Sequence, residues 1–304
     1  MMLDRRTLLA GMPLLGAAAP GPQTILGAAA PGPQTILGAA APDRWAALRR
    51  AVAEVERAAG GPLGLSVLDT GTGRQFGWRA NTRFPMCSTF KLLLAARLLA
   101  GGPWRMDDAL QVTAADVINP APFTRPRIGS TATLTELAGA MVTLSDNPAA
   151  NIALKHTGGP AALTRWLRQI GDGVTRLDRM EPEMNNETPG DPRDTTTPAA
   201  MLWTARRVLL GGVLAPAARV QLLGWMANSE TGATMLRSAL PAGWQEAHKT
   251  GAGADRARNI VSLITPPGRK PILVSAYLFA AVSSLEERNR HFPALGRAVV
   301  SALG

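Results

Sequence analysis

β-strand sequence occurs near both ends of the folded part of this chain, with helical sequence between. Near the first end, LGLSVLD (63–69) alternates like a strand, TGTG forms a turn, and RQFGW (74–78) is the hairpin partner. Near the other end, NIVSLIT (259–265) and PILVSAYLFA (271–280) flank the turn sequence PPGRK. The two ends therefore predict one antiparallel sheet to which both contribute.

Helical patterns occupy most of the remaining chain. Thr89 to Ala100 is almost wholly apolar and, at about 12 residues, too short to span a membrane, so it predicts a buried helix. Other helices are expected at 43–59, 131–145, 148–157, 160–170, 198–210, 216–227 and about 284–302. The predicted fold class is α+β: an antiparallel sheet built from both chain ends and covered by helices, with an inserted all-helical domain. We expect an α/β domain at 42–78 plus 228–304, a helical domain at 79–227, and the functional site between them.

The first 41 residues have the pattern of an export signal and linker. MMLDRRTLLAGMPLLGAAAP combines a charged start, an apolar stretch and small residues. Arg5 and Arg6, followed by Thr-Leu-Leu, favour the twin-arginine route, with an ordinary secretory signal as the alternative. The unit GAAAPGPQTIL then occurs twice, at 16–26 and 27–37, and lengthens the signal or a linker. We expect export to the periplasm or secretion, with the folded part beginning near Asp43.

Composition excludes several partners. The net charge is +10, but the basic residues are scattered and aromatic residues make up only 5%, so no nucleic-acid partner is expected. The single cysteine, Cys87, excludes an intramolecular disulfide. The three histidines do not lie at metal-ligand spacing, so we expect neither a metal nor another cofactor. No segment after the signal region is long enough to span a membrane, and a monomer is the default expectation.

Lysine is rare in this chain. Of its 32 basic residues, 28 are arginine and only 4 are lysine: Lys91, Lys155, Lys249 and Lys270. A desolvated lysine can lose its proton, whereas an arginine cannot. The positions that keep lysine are therefore candidates for chemistry that a permanent cation cannot perform.

The motif STFK (88–91) places a serine and one of these lysines at the start of the apolar helix. Ser88 and Lys91 are three residues apart and lie on one helix face. The helix N-terminus favours anionic intermediates, and a nearby base would activate the serine hydroxyl. A capping serine beside an exposed lysine is the alternative interpretation. The scarcity of lysine and the apolar flank favour the functional one.

Two further polar triplets have both a structural and a functional interpretation. SDN (145–147) lies between two predicted helices, where such residues are ordinary caps, but Ser145 could also relay a proton and Asn147 offer an amide to a substrate. KTG (249–251) is predicted on an edge strand, either as a generic polar strand start or as a site for a carboxylate. Lys249 is the second rare lysine in such a triplet.

The segment RLDRMEPEMNNETPGDPRDTT (176–196) has no periodicity and contains three prolines and many charges. It predicts a compact Ω-loop over 179–194, which an ion pair between Arg179 and Asp194 could close. Glu181 and Asn185, four residues apart, could hold one water between a carboxylate and an amide. A solvated acidic loop is the alternative.

Together and in this order, STFK, SDN, EPEMN and KTG resemble the motifs of the class A serine β-lactamases. The resemblance extends over nearly the whole chain after the signal region, and RLDRMEPEMN, LSDNPAAN and HKTGAG match beyond the core triplets. It implies hydrolysis of the lactam amide of penicillins and cephalosporins through a serine acyl-enzyme, and hence antibiotic resistance.

The resemblance implies catalytic roles for four side chains. Ser88 would be the acylating nucleophile, and its own backbone N–H would form the oxyanion hole with that of Ala252. Lys91 would assist removal of the Ser88 proton, and Ser145 would pass a proton to the leaving nitrogen. Glu181 would activate the water that hydrolyses the acyl-enzyme, and either Lys91 or Glu181 could be the acylation base.

The resemblance also implies binding and structural roles. The expected substrate-binding residues are Asn147, Asn185, Lys249, Thr250, Ala252 and Arg258. Those expected to maintain the site are Asn151, which would brace Glu181, together with Arg179, Asp194 and Gly251. Three positions depart from the family pattern. Met184 stands where leucine is usual, Pro120 stands near where an aromatic wall is usual, with Phe123 nearby, and Gly253 stands where some relatives have a second cysteine.

Two related functions compete with this interpretation. A penicillin-binding DD-peptidase shares SxxK and KTG but lacks the deacylating glutamate, and a β-lactam sensor domain is acylated without turnover. Glu181 is the residue that favours a hydrolysing enzyme over both.

Overall fold

The computed structural model describes residues 43, 45–186, 188 and 190–303. The predicted signal and repeat region, 1–41, lies outside the described residues. The strands are β1 (Leu63–Asp69), β2 (Gln75–Trp78), β3 (Phe84–Pro85), β4 (Ala109–Gln111), β5 (Thr131–Thr133), β6 (Thr195–Thr196), β7 (Gln245–Ala252), β8 (Ala257–Thr265) and β9 (Ile272–Phe279). The helices are α1 (Ala46–Ala59), α2 (Phe90–Ala100), α3 (Leu134–Thr143), α4 (Asn147–His156), α5 (Gly159–Gln169), α6 (Pro198–Leu209), α7 (Pro216–Ala227), α8 (Leu285–Asn289) and α9 (Phe292–Leu303).

The main sheet joins the two ends of the folded chain, as the sequence predicts. Its strand order is β2-β1-β9-β8-β7, and every neighbouring pair is antiparallel. The N-terminal strand β1 pairs with β9 along its whole length, from Leu63 opposite Leu278 to Asp69 opposite Ile272. The KTG triplet lies near the end of β7, which is an edge strand of this sheet.

Hydrophobic clusters pack on both faces of the sheet, because alternate strand residues point to opposite sides. On one face, Leu65, Val67 and Ile260 pack with residues of α1 and α9. On the other, Leu68 and Val261 join the cluster formed by helices α2 to α7. The helix α2 is buried along most of its length at the centre of this second cluster, which explains its nearly unbroken apolar sequence.

Two details differ from the sequence predictions. The segment expected to be all-helical also contains two short antiparallel ladders, β3 with β6 and β4 with β5, whose two- and three-residue strands are too short for a detectable alternation. The predicted closing helix at 284–302 is two helices, α8 and α9. Pro293 lies in the first turn of α9, where its missing N–H is tolerated, whereas it would disrupt a helix continuing from α8.

The described part of the chain contains no helix that is both long and apolar enough to cross a membrane.

Candidate active site

A cleft of about 830 Å³ opens between the edge strand β7 and the helical part of the chain. Eight of the predicted site residues line it: Ser88, Ser145, Asn147, Asn185, Thr250, Gly251, Ala252 and Arg258. The side chains of Lys91 and Glu181 lie beneath this lining and are fully buried. The cleft therefore brings together motifs that are up to 170 residues apart in the sequence.

Ser88 lies in a short 3₁₀ helix, Cys87–Thr89, which leads directly into α2. The preceding residue, Cys87, has a φ of 45°, an uncommon backbone conformation for a non-glycine residue that turns the chain sharply. The Ser88 hydroxyl lies 3.3 Å from Glu181 Oε1 and can donate a hydrogen bond to it. The Cys87 side chain is buried, as expected for a small apolar group beneath the site.

Lys91 is surrounded by acceptors. Its Nζ donates to the Ser145 carbonyl oxygen at 2.9 Å and to Asn147 Oδ1, and it lies 3.2 Å from Glu181 Oε1. Complete burial lowers the pKa of Lys91 from its ordinary value, and the Glu181 carboxylate opposes that shift. The Ser88 hydroxyl and the Lys91 amine thus share one carboxylate oxygen as a partner.

Glu181 is held by two asparagines. Asn151 donates to its backbone carbonyl at 2.7 Å and accepts from its backbone N–H at 3.1 Å, which fixes the main chain of the loop against α4. Asn185 Nδ2 donates to Glu181 Oε2 at 2.5 Å. One carboxylate oxygen therefore faces Asn185 and the other faces Ser88, an arrangement that leaves the carboxylate aimed into the reaction site.

The segment 179–194 is closed at its ends by the predicted ion pair. Arg179 Nε lies 2.6 Å from Asp194 Oδ2, and the backbone N–H groups of Asp178 and Arg179 both donate to Asp194 Oδ1. The Asp194 carbonyl also accepts from the N–H of Met86, two residues before Ser88. The closure of this segment is thereby connected directly to the backbone that carries Ser88.

In the SDN triplet one residue caps a helix and another lies in the cleft. Asp146 is a buried cap: it accepts from the N–H of Ala149 in α4 and from the N–H groups of Phe123 and Thr124. Ser145 has a φ of 59°, which directs it into the cleft rather than along a helix. Its hydroxyl accepts a hydrogen bond of 3.0 Å from Lys249 Nζ.

The sheet side of the cleft has two basic residues, Lys249 of β7 and Arg258 of β8. Burial lowers the pKa of Lys249 well below its usual range, and the nearby Lys91 and Arg258 lower it further. Burial, with a contribution from Arg288, lowers the pKa of Arg258 to about 10. Thr250, beside these groups, lines the same wall. Lys249 and Arg258, next to an open cleft, form a suitable site for an anionic group of a ligand.

Gly251 allows β7 to pass close to the turn that carries Ser88. A Cβ at this position would fall 2.8 Å from the Met86 carbonyl oxygen and 3.1 Å from the Thr89 nitrogen. Both are backbone atoms, which cannot move aside without displacing Ser88. The glycine therefore sets the distance between the two walls of the site.

Sequence reasoning missed several residues of the cleft. Thr231 lines it and shares a hydrogen bond of 2.7 Å with the Thr250 hydroxyl, and Asn289 accepts from Arg258 Nε at 2.7 Å. Asn119 accepts a hydrogen bond from Asn147 through its carbonyl, next to Pro120 at the cleft rim. These residues lie in segments without a distinctive motif, so no sequence signal marks them.

The charged side chains of the site are engaged with one another rather than arranged for a metal. Among the described residues there is no cluster of three or more His, Cys, Asp or Glu side chains that could hold a metal ion.

The buried Ser88, Lys91 and Glu181 group, in a cleft between an antiparallel sheet and a helical layer, defines a serine hydrolase. The chain belongs to the β-lactamase enzyme family, whose sequence model matches residues 47–303. It is 44% identical to Beta-lactamase L2 of Stenotrophomonas maltophilia over 265 residues, which cover 85% of this chain and 88% of that protein.

Solved structures of class A β-lactamases have the same fold. One is an ancestral class A β-lactamase, 49% identical, with a TM-score of 0.82; the match covers 84% of this chain and all of that one. Another is a β-lactamase from Xanthomonas campestris pv. campestris, 45% identical, with a TM-score of 0.82, covering 84% and 97% of the two chains. The predicted α+β fold class, the class A family and the assignment as a hydrolase are confirmed.

Proposed function

We propose that this protein hydrolyses the β-lactam amide of penicillins and cephalosporins through an acyl-enzyme on Ser88, and so confers antibiotic resistance. The observation that carries this proposal is the Glu181 carboxylate, which lies within hydrogen-bond distance of the Ser88 hydroxyl and of the Asn185 amide. A water between these groups would be positioned both to be deprotonated and to reach the acyl carbon. A DD-peptidase or a β-lactam sensor has no use for this carboxylate and is not favoured.

In the acylation step, Ser88 Oγ bonds to the lactam carbonyl carbon and the carbon–nitrogen bond of the ring breaks. The Ser88 proton passes to Glu181, whose Oε1 lies 3.3 Å from the hydroxyl, or to Lys91, whose Nζ lies 3.2 Å from the same carboxylate oxygen. The ring nitrogen receives a proton through Ser145, which Lys249 supports with a hydrogen bond. The backbone N–H groups of Ser88 and Ala252 stabilise the oxyanion.

In the deacylation step, Glu181 takes a proton from water, the hydroxide adds to the acyl carbon, and the ester bond to Ser88 Oγ breaks with return of a proton to Ser88. The carboxylate of the substrate is held by Lys249, Thr250 and Arg258 on the sheet side of the cleft. Asn147 contacts the amide of the drug side chain, while Asn151 holds the backbone of Glu181.

We propose a two-domain organisation and an exported monomer. The α/β domain comprises 42–78 and 228–304, the helical domain comprises 79–227, and 179–194 is an Ω-loop. The export signal is a further part of the proposal. Residues 1–41 act as a twin-arginine signal and linker that directs the protein to the periplasm or the exterior. The Arg5-Arg6 pair supports this route because it precedes an apolar stretch. Changing Arg5 and Arg6 to lysine should leave the protein in the cytoplasm, as measured by hydrolysis in cell fractions.

The decisive experiment compares the wild-type protein with Glu181→Ala on a chromogenic cephalosporin. The wild-type protein should turn over continuously, whereas Glu181→Ala should give a burst of one equivalent and a covalent adduct visible by mass spectrometry. A wild-type protein that is acylated and then stalls would favour the peptidase or sensor instead. Ser88→Ala serves as the control, since full activity in that variant would exclude the serine mechanism.

A further inference from the structure

Two fully buried ionisable side chains of β7 take no part in the proposed chemistry. Glu246 and His248 lie four and two residues before Thr250, and both side chains have an exposure of 0%. His248 Nδ1 lies 3.0 Å from Glu246 Oε2. Removing two such groups from water is costly unless their protons and partners are matched, so the arrangement constrains their protonation.

The opposite nitrogen of the His248 ring contacts the cleft wall. His248 Nε2 lies 3.1 Å from the backbone carbonyl oxygen of Thr231. The Thr231 hydroxyl shares a hydrogen bond of 2.7 Å with the Thr250 hydroxyl, and both threonines line the cleft. A continuous path of contacts thus leads from the buried pair, through Thr231, to a residue proposed to bind the substrate.

The loop that carries Thr231 is packed tightly onto this ring. A Cβ on Gly232 would fall 2.9 Å from His248 Nε2 and 2.8 Å from Thr250 Cγ2. Gly232 also has a φ of 133°, which only glycine adopts readily. Because the loop backbone lies directly on the His248 and Thr250 side chains, a change in the ring's hydrogen bonding acts on the loop without an intervening group.

The contacts of this path determine where the His248 ring must carry hydrogen. The Thr231 carbonyl can only accept, so Nε2 must carry a hydrogen. Among the described residues, neither His248 Nδ1 nor Glu246 Oε2 has a hydrogen-bond partner, so without a proton a ring lone pair would face a carboxylate oxygen at 3.0 Å. The observed arrangement is therefore satisfied when the pair shares one additional proton, on either the ring or the carboxyl group.

We infer that His248 is a positioning residue for substrate binding: its Nε2 hydrogen holds the Thr231 carbonyl, and through that residue the Thr250 hydroxyl, in the observed geometry. Without a donor at this position the Thr231 carbonyl loses this hydrogen bond, and the loop is free to move away from Thr250. The inference rests on the proposed function, in which Thr250 binds the substrate carboxylate.

Other groups around the pair hold Glu246 in place. Arg237, from the turn Leu236–Ala239, lies 3.4 Å from Glu246 Oε2, and Ser262 of β8 donates to Glu246 Oε1 at 2.7 Å. The loop that carries Thr231 contributes the Thr231 backbone carbonyl, which faces the His248 ring. Lys249, the next residue of β7, is directed instead at Ser145. Glu246 and Arg237 are thus the charged side chains of this cluster.

The test measures kcat and KM of the purified full-length enzyme on a chromogenic cephalosporin. Glu246→Gln should leave KM at the wild-type value, because its amide N–H can donate to His248 Nδ1 and leave the Nε2 hydrogen on the Thr231 carbonyl.

Two further variants separate positioning from folding. His248→Gln keeps an amide N–H for the Thr231 carbonyl and should retain a low KM. His248→Leu should raise KM about fivefold to tenfold, the size expected for one lost hydrogen bond, with little change in kcat. Thermal melting identifies any variant that is simply unfolded. Combining His248→Leu with Thr231→Val should raise KM no further than the single changes, because both act through one path.

The inference is overturned if His248→Leu has the wild-type KM, or if His248→Gln raises KM as much as His248→Leu does. Failure of the proposed function has a different result, since the wild-type protein would then not turn over a β-lactam at any pH.

Discussion

The Lys91 ammonium group lies 3.2 Å from Glu181 Oε1, and both side chains are fully buried. The same carboxylate oxygen lies 3.3 Å from the Ser88 hydroxyl. A proton can therefore move among three groups without passing through solvent. Burial lowers the pKa of Lys91, so a lysine at this position can act as a proton acceptor where an arginine cannot.

The first prediction tests whether Lys91 is needed for its proton rather than for its charge. Lys91→Arg keeps a cation but cannot be deprotonated, and kcat should fall about 10²- to 10⁴-fold, the range for loss of a general base. The matched control is Lys155→Arg, at a side chain that is 59% exposed and paired with Asp116. That variant should hydrolyse a cephalosporin at the wild-type rate. Comparable activity in both variants would show that Lys91 provides charge only.

The second prediction concerns the pH dependence of stability. Because burial lowers the pKa of Lys249, the folded protein releases this proton at lower pH than the unfolded chain, whose lysine has a pKa near 10.5. Between these two values the unfolded chain binds more protons, so the free energy of unfolding rises with pH, by at most about 1.4 kcal/mol per pH unit. Denaturant unfolding of Lys249→Met should show a shallower rise than that of the wild-type protein.

This measurement is confined to pH values below about 9.5, because Tyr277 contributes the opposite sign at higher pH. Burial raises the pKa of Tyr277, so the folded protein keeps its phenol proton after the unfolded chain has lost it, and stability then falls as pH rises. An identical slope for the wild-type protein and Lys249→Met would show that Lys249 is ionised to the same extent in both states.

The third prediction concerns the clamp that closes 179–194. Asp194 has a 1% exposed side chain and accepts from Arg179 Nε and from two backbone N–H groups. Asp194→Asn leaves the Arg179 charge without its partner and should lower the free energy of unfolding by about 3 kcal/mol, as for other broken buried pairs. Deacylation should slow as well, since Glu181 lies in the same segment.

The control for this clamp is Asp191→Asn, which removes a carboxylate of the same segment whose partner, Arg193, is 52% exposed. Urea unfolding and pre-steady-state hydrolysis should distinguish the two variants, with Asp191→Asn indistinguishable from the wild-type protein. Equal effects would mean that the segment responds to any loss of charge and not to the clamp in particular.

The fourth prediction uses the close approach of β7 to the serine turn. Gly251→Ala would place a Cβ 2.8 Å from the Met86 carbonyl oxygen, so the strand must move away from Ser88. Since a displacement of about 1 Å can cost roughly 10²-fold in rate, kcat should fall by about that factor. The control, Gly224→Ala in the exposed part of α7, meets no atom within 4 Å. It should be fully active and about 0.5–1 kcal/mol more stable, because alanine favours a helix.

Much of the architecture could be predicted because its signals are local. The alternation in 63–69 and the unbroken apolar stretch of α2 report burial directly, since each strand face or helix side meets a hydrophobic cluster. The short ladders β4 with β5 and β3 with β6 could not be predicted, because two or three residues contain no periodicity. The break between α8 and α9 is explained by Pro293, which interrupts an otherwise helical pattern.

By itself, the sequence determined which side chains are available for chemistry: a rare lysine three residues after a serine, a second rare lysine in a polar strand, and a glutamate in a proline-rich loop. Only the tertiary structure decided that these groups meet, with Lys91 and Ser88 sharing one oxygen of Glu181. It also decided that His248, without a motif of its own, lies between Glu246 and the Thr231 carbonyl. The physical reason is that contact and burial between distant segments arise from the packing of the whole chain, whereas residue type and local periodicity are written in the sequence.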